Sequence, residues 1–303
     1  MIPVTHDPQA ASEFRGQTVL VTGAASGIGA ALAQALLSAG ARVIALDQNA
    51  TGLEALRAAH VQADAPADAG LRADTGFHAE AGSDAEAGPH AYASPRADTP
   101  LTTIAVDVSE SAAVNAAVAQ GEAEQGPIQK LATVAGILQM GQVVNLSDDA
   151  WSRTLAVNTT GTFNVLRAVG ARMVERGQGA VVVVSSNAAT TPRTGMGAYA
   201  ASKAAVTQLA RCFALEVAQA GIRCNIVSPG STDTEMQRAM WRQGSSAQTV
   251  IEGSAPAFRL GIPLRKIAQP TDIVESILFL LSDRAGHITL HDLRVDGGAT
   301  LDS

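Results

Sequence analysis

"TVLVTGAASGIGAALAQALLSAGARVIALD", residues 18 to 47, decides the fold. A short aliphatic run, Thr18–Val21, enters the turn Thr22-Gly23-Ala24-Ala25-Ser26-Gly27-Ile28-Gly29, and a helical pattern continues to Ser38. Gly23 permits the tight turn, while Gly27 and Gly29 let backbone amides and a helix N-terminus approach a pyrophosphate. An ordinary strand–helix loop also uses glycine, so the turn gains meaning from a second signal downstream. Asp47 ends the next aliphatic run, Arg42–Leu46, eighteen residues after Gly29. A carboxylate there can accept hydrogen bonds from the hydroxyls of an adenosine ribose. It would also repel a 2′-phosphate, and Ala24, Ala25 and Gln48 supply no compensating cation. The expected cofactor is therefore NAD rather than NADP.

The same alternation continues along the chain. Further strand-like runs are Thr102–Val106, Leu131–Val134, Ala180–Val184, Arg223–Val227 and Leu293–Val295. Helical patterns cover Gly29–Ser38, Ser109–Glu124, Trp151–Glu175, Ala198–Ala218 and Thr271–Leu281. Strand–helix alternation of this kind predicts an α/β domain: one doubly wound (Rossmann) parallel sheet of about seven strands, with helices on both faces. Ligands bind such a sheet at the carboxyl ends of its strands. Residues 1–14 read as an N-terminal extension and 15–303 as the domain. The stretch at about 58–100, rich in Ala, Asp, Gly and Pro, reads as a disordered insertion.

Composition removes several function classes. The net charge is −7, but 58–100 holds seven acidic and two basic side chains, which leaves the rest near −2. No basic patch marks a nucleic-acid partner. No apolar run reaches bilayer length and no secretory h-region opens the chain, so a membrane role is not expected. Two cysteines, Cys212 and Cys224, are too few for a disulfide framework and lack metal-ligand spacing. The histidines are scattered, so no metal is expected, and the default setting is the reducing cytoplasm.

A second constellation lies in "VVVVSSNAATTPRTGMGAYAASKAA", residues 181 to 205. Tyr199 and Lys203 are spaced i,i+4 on one helical pattern, so their side chains share a face. A phenol titrates near ~10, and a neighbouring ammonium favours the phenolate, which makes the pair a candidate general base for an alcohol. Ser186 ends a strand-like run and can hydrogen-bond the same oxygen. Asn158, in "LAVNTTGTFNVL", adds a polar group within a helical pattern. Singly, Tyr199 reads as a core aromatic and Lys203 as a solvated charge; behind a nucleotide-type turn that reading fails.

These residues resemble the short-chain dehydrogenase/reductase family. Thr22-Gly23-x-x-x-Gly27-Ile28-Gly29, Asn158, Ser186, Tyr199-x-x-x-Lys203 and Pro229-Gly230 match its motifs in order. The resemblance spans the chain except 1–14 and the insertion. It implies a catalytic tetrad of Asn158, Ser186, Tyr199 and Lys203. It also implies cofactor contacts from Gly23, Ser26, Gly27, Ile28, Gly29 and Asp47, with Asp107 and Val108 at the adenine. Ala135, Gly136, Tyr199, Lys203, Pro229, Gly230, Thr232 and Thr234 would lie along the nicotinamide half. Asp107 is open to another reading, as a helix N-cap. One departure is Thr133-Val134-Ala135-Gly136, where the family has Asn-Asn-Ala-Gly.

The stretches "AGILQMG" (135–141) and "RCNIVSPGSTDTEMQRAMW" (223–241) resemble the branch that oxidises dihydrodiol acids of a cyclohexadiene ring to the catechol acids of siderophores. A cyclohexadiene carboxylic acid is then the expected small-molecule substrate. An amino-hydroxy acid of the same ring is the alternative, and a silent NAD-binding regulator would not need the Tyr199–Lys203 pair. Arg193 would grip the carboxylate. Leu138, Met140, Gly195 and Met236 would form a slot for the ring beside Ser186, and Gln237 would reach a hydroxyl. Gln139 stands where the family pattern suggests arginine. The resemblance further implies a homotetramer.

Overall fold

The computed structural model describes residues 13–63 and 99–301, apart from 243 and 245. Its strands are β1 (Thr18–Thr22), β2 (Arg42–Asp47), β3 (Leu101–Ala105), β4 (Ile128–Thr133), β5 (Gly179–Val184), β6 (Ile222–Pro229) and β7 (Asp292–Val295). They form one parallel sheet in the order β3-β2-β1-β4-β5-β6-β7. The order reverses between β1 and β4. The connections leaving those two strands part there, and a crevice opens beyond their carboxyl ends.

Strand residues alternate between two apolar cores, as the pleat requires. Val19, Val21, Val43 and Val182 face α1 (Gly27–Ser38), where Leu32 and Leu36 are fully buried. Leu20, Ile44, Leu131 and Val181 point the other way, into a second core. Between them the strands are buried on both faces, so β1 is buried at all five positions and carries no polar-facing alternation. The remaining helices are α2 (Ala50–Ala63), α3 (Ser111–Gln125), α4 (Asp148–Leu155), α5 (Gly161–Arg176), α6 (Gly197–Ala218), α7 (Glu235–Arg242), α8 (Ala247–Glu252) and α9 (Pro270–Leu281). α9 joins α1 on the first face, and α3, α5 and α6 cover the second.

Four boundaries differ from those expected. α2 runs to Ala63, past the point near Ala58 where the insertion was expected to begin. Leu53 and Leu56 anchor it in the first core, and the alanine-rich continuation extends a helix already nucleated. The rest of the expected insertion, 64–98, and most of the N-terminal extension, 1–12, lie outside the described residues. Phe14, expected in the extension, belongs to the domain: it is buried in the first core and its ring centre lies 5.5 Å from Lys130 Nζ. The pattern Trp151–Glu175 is not one uniform helix, because a π-helical turn, Ala156–Thr160, separates α4 from α5. Finally, α7, α8 and the two-residue strands Gly253–Ser254 and Arg259–Leu260 arise in a segment whose periodicity gave no element.

Candidate active site

The turn after β1 is glycine by necessity. A Cβ on Gly29 would stand 2.1 Å from the Gly23 carbonyl oxygen, and one on Gly23 (φ +71) 2.8 Å from the Ala135 nitrogen. Close packing of α1 onto the turn leaves its first amides facing the crevice. Ser26, the N-cap, makes no side-chain cap, so those donors remain for an anion. The residues therefore fit a dinucleotide pyrophosphate. Each residue expected to contact the dinucleotide lines one cavity of about 390 Å³ at the switch point.

The asparagines missing from Thr133-Val134-Ala135-Gly136 are replaced by Thr22. Its Oγ1 accepts from Val134 N at 3.0 Å and Ala135 N at 3.2 Å, tying β4's exit to the glycine turn. The price is the Thr133 hydroxyl, buried without a partner.

Asp47 is held by backbone amides. Its Oδ2 accepts from Ala25 N at 3.0 Å and its Oδ1 from Asn49 N at 2.9 Å. Asp107 accepts from Ser109 N and Ser109 Oγ, at 2.9 and 2.7 Å, and pairs with Arg153 at 3.0 Å. Burial pushes its pKa upward, but the Ser109 hydrogen bonds and the Arg153 guanidinium outweigh that and hold the carboxyl below its ordinary value. Asp107 does not cap α3, whose N-cap is Glu110. Arg153 also donates to Gln48 Oε1 at 3.2 Å. Sequence reasoning looked for a cation only beside Asp47 and missed this one, which arrives from α4.

The reacting end is built by β5 and α6. Ser186 follows β5, accepts from Ala188 N at 3.1 Å and lines the same cavity wall as Tyr199, near enough to pull the phenol's pKa down. Lys203, one turn further along α6, donates to Val184 O at 2.9 Å. Its Nζ lies 5.9 Å from the centre of the Tyr199 ring, and burial lowers its pKa to about 8. The expected acidification of the phenol is not what the protein alone produces. Burial raises the pKa of Tyr199, with Ser186 pulling the other way; the Lys203 ammonium donates to a main-chain carbonyl instead.

Asn158 sits in the π turn, fully buried. Its Oδ1 accepts from Ile137 N at 2.8 Å, while Nδ2 donates to Ile137 O at 3.0 Å and Ser202 Oγ at 2.9 Å. A Cβ on Gly136 would lie 3.3 Å from Asn158 Oδ1 and 3.4 Å from Lys203 Nζ, so both groups converge on that glycine. Ser185, the other serine after β5, turns away to Thr207 at 2.6 Å.

Of the residues expected at the substrate, Leu138, Ser186, Arg193, Met236 and Gln237 line the cavity. Met140 and Gly195 do not. Gly141 N donates to Gly195 O at 2.9 Å, which draws the two loops together and leaves Met140 40 % exposed, outside the lining. Gln139 is exposed. The Gln237 amide nitrogen is buried and unpartnered on the wall, a donor with nothing yet to bind. Sequence reasoning missed Arg259, also on the wall. It lies in a two-residue strand, too short for any pattern to mark.

Two family models match: "Enoyl-(Acyl carrier protein) reductase" over residues 83–300 and "short chain dehydrogenase" over 17–85. A Bacillus subtilis protein named 2,3-dihydro-2,3-dihydroxybenzoate dehydrogenase is 44% identical over 96% of this chain and 98% of its own. An Escherichia coli protein of the same name is 40% identical over 95% of this chain and 99% of its own. The structure of levodione reductase superposes with a TM-score of 0.77 at 25% identity, over 94% of this chain and 98% of that one. With the glycine turn, the parallel sheet and the Ser186–Tyr199–Lys203 arrangement, these matches show that the chain belongs to the short-chain dehydrogenase/reductase family.

Proposed function

We propose that the chain oxidises 2,3-dihydro-2,3-dihydroxybenzoate to 2,3-dihydroxybenzoate with NAD. The observation that carries this reading is the placing of Ser186, Tyr199 and Lys203 on the wall of one cavity that Arg193 also lines. The names of the two bacterial relatives supply the ring. Asp47, held by backbone at the end of β2, favours ribose hydroxyls over a phosphate and supports NAD.

Ser186 and Tyr199 bind the reacting hydroxyl and orient its carbon. Tyr199 removes the hydroxyl proton as the carbon loses hydride. NAD, when bound, accepts that hydride. Lys203, with a pKa of about 8, is mostly an ammonium at neutrality and favours the phenolate; once it has released its own proton to solvent it can take up the one held by the phenol. Asn158 fixes the Ile137 backbone beside it. The resulting ketone tautomerises to the aromatic ring, and that gain drives the oxidation forward. Its product pairs a catechol, which chelates ferric iron, with a carboxyl that, once activated, can acylate an amine. Those are the requirements of a siderophore building block.

Two further parts of the proposal concern setting. Cys212 and Cys224 are unpaired, and no helix among the described residues is long and apolar enough to cross a membrane. A reducing cytoplasm with a nicotinamide pool suits both. Phe163 and Val174 on α5 and Leu215 on α6 are 41, 45 and 65 % exposed, apolar surface that supports pairing of these helices in a homotetramer. The reaction is tested by supplying NAD with 2,3-dihydro-2,3-dihydroxybenzoate and following NADH together with the catechol product. NADH without 2,3-dihydroxybenzoate, or no NADH, rejects the reading.

A further inference from the structure

We propose that Arg259 is the second guanidinium of a carboxylate clamp whose first is Arg193. This rests on the proposed oxidation of a ring acid, since it assigns the part of the site that would select an acid over a neutral diol.

Arg259 lies on the cavity wall in the short antiparallel pair formed by Gly253–Ser254 and Arg259–Leu260. Its Nη2 donates to Ser231 Oγ at 2.9 Å, which fixes the head group beside Gly230, on the nicotinamide half of the cavity. The loop carrying Arg193 is tied to the same hairpin, because Thr194 Oγ1 donates to Ala257 O at 3.4 Å. The hairpin is held in one shape by its backbone. A Cβ on Gly253 (φ +89) would stand 2.6 Å from Gly261 N, and Ile262 N donates to Ile251 O at 2.8 Å. Phe258 keeps a left-handed φ of 51° just before Arg259, a conformation that costs a non-glycine residue energy and persists where the surroundings impose it.

Arg259 itself carries a charge with no acidic partner among the described residues. Burial lowers the pKa of Arg259, and the neighbouring charge of Arg193 lowers it further, so the two cations feel each other inside the cavity. Among the described residues no carboxylate lies within ion-pair distance of Arg259. Glu235, the acid on the wall nearest in sequence, is paired with Arg242. Asp47 and Asp107 stand at β2 and β3, across the switch point. Two arginines lining one cavity suit the two oxygens of a carboxylate. A half-buried cation held by one hydrogen bond gains from a counter-charge that enters the cavity beside it.

Calorimetric titration of the NADH-loaded chain with 2,3-dihydroxybenzoate and with catechol tests the clamp. The native chain is expected to bind the acid more tightly than catechol. Arg259→Met should weaken the acid by about tenfold to a hundredfold and leave catechol and NAD affinities unchanged. Arg259→Lys should fall between them. Equal loss of acid and catechol, or an acid preference that survives Arg259→Met, overturns the clamp. Weakened NAD binding would move Arg259 to the pyrophosphate and overturn it as well. Loss of the acid preference in a chain that makes no NADH from the dihydrodiol acid would uphold the clamp and reject the reaction.

Discussion

At the residue scale, the site depends on two titrations that the protein sets in opposite directions. Tyr199 must be deprotonated to act as a base, yet burial raises its pKa above the ordinary phenol value. The phenolate fraction at neutral pH is therefore small and grows as protons are withdrawn. The oxidation rate should rise with pH across the alkaline range, and a kcat/KM profile that falls there would contradict this. Lys203 goes the other way, from 10.5 down to about 8. Between those values the unfolded chain holds a proton that the folded chain has released, so stability rises with pH across that window. Below about pH 8 the folded chain carries the buried charge, which costs roughly 3 kcal/mol relative to water. Lys203→Met should remove this slope, seen as a melting temperature whose gap to the native chain narrows from pH 8 to 10.5. The pairing of Tyr199 and Lys203 was legible because i,i+4 spacing is a property of the helix. The direction of the phenol's shift was not, because burial depends on what packs around it.

At the scale of elements, the legible parts were those with a strong period. All seven sheet strands were found from their aliphatic runs, since a strand covered on both faces can hold little else. The π turn was invisible, because inserting one residue leaves the surrounding apolar pattern almost unchanged. Yet that turn is what lets Asn158 reach the Ile137 backbone. Glycines spoke clearly where backbone contact forbids a side chain. Gly29→Ala would drive a methyl into the Gly23 carbonyl, 2.1 Å away, and should abolish measurable NAD binding by calorimetry while the chain stays folded. Thr22→Val strips the shared acceptor from Val134 N and Ala135 N. It should cost about 1–3 kcal/mol in urea unfolding. The hairpin bearing Arg259 escaped sequence reasoning for the opposite reason: two-residue strands have no period.

At the scale of the whole molecule, the reversal of strand order between β1 and β4 gathers residues from six strand ends into one cavity. Motif order along the chain implied that convergence, but the depth of Lys203 and the approach of Arg153 required the folded chain. The apolar exposure on α5 and α6 belongs to this scale also. Sedimentation equilibrium should give four times the chain mass, and a monomer mass would remove the proposed assembly. The central claim, that the Tyr199 phenol takes a proton from a ring alcohol, is tested most directly by the Tyr199→Phe variant. It is mixed with NAD and 2,3-dihydro-2,3-dihydroxybenzoate, and NADH formation is followed beside the native chain. The account predicts a fall in kcat of about a hundredfold to ten-thousandfold with NAD affinity retained; NADH formed at the native rate by the variant would contradict it.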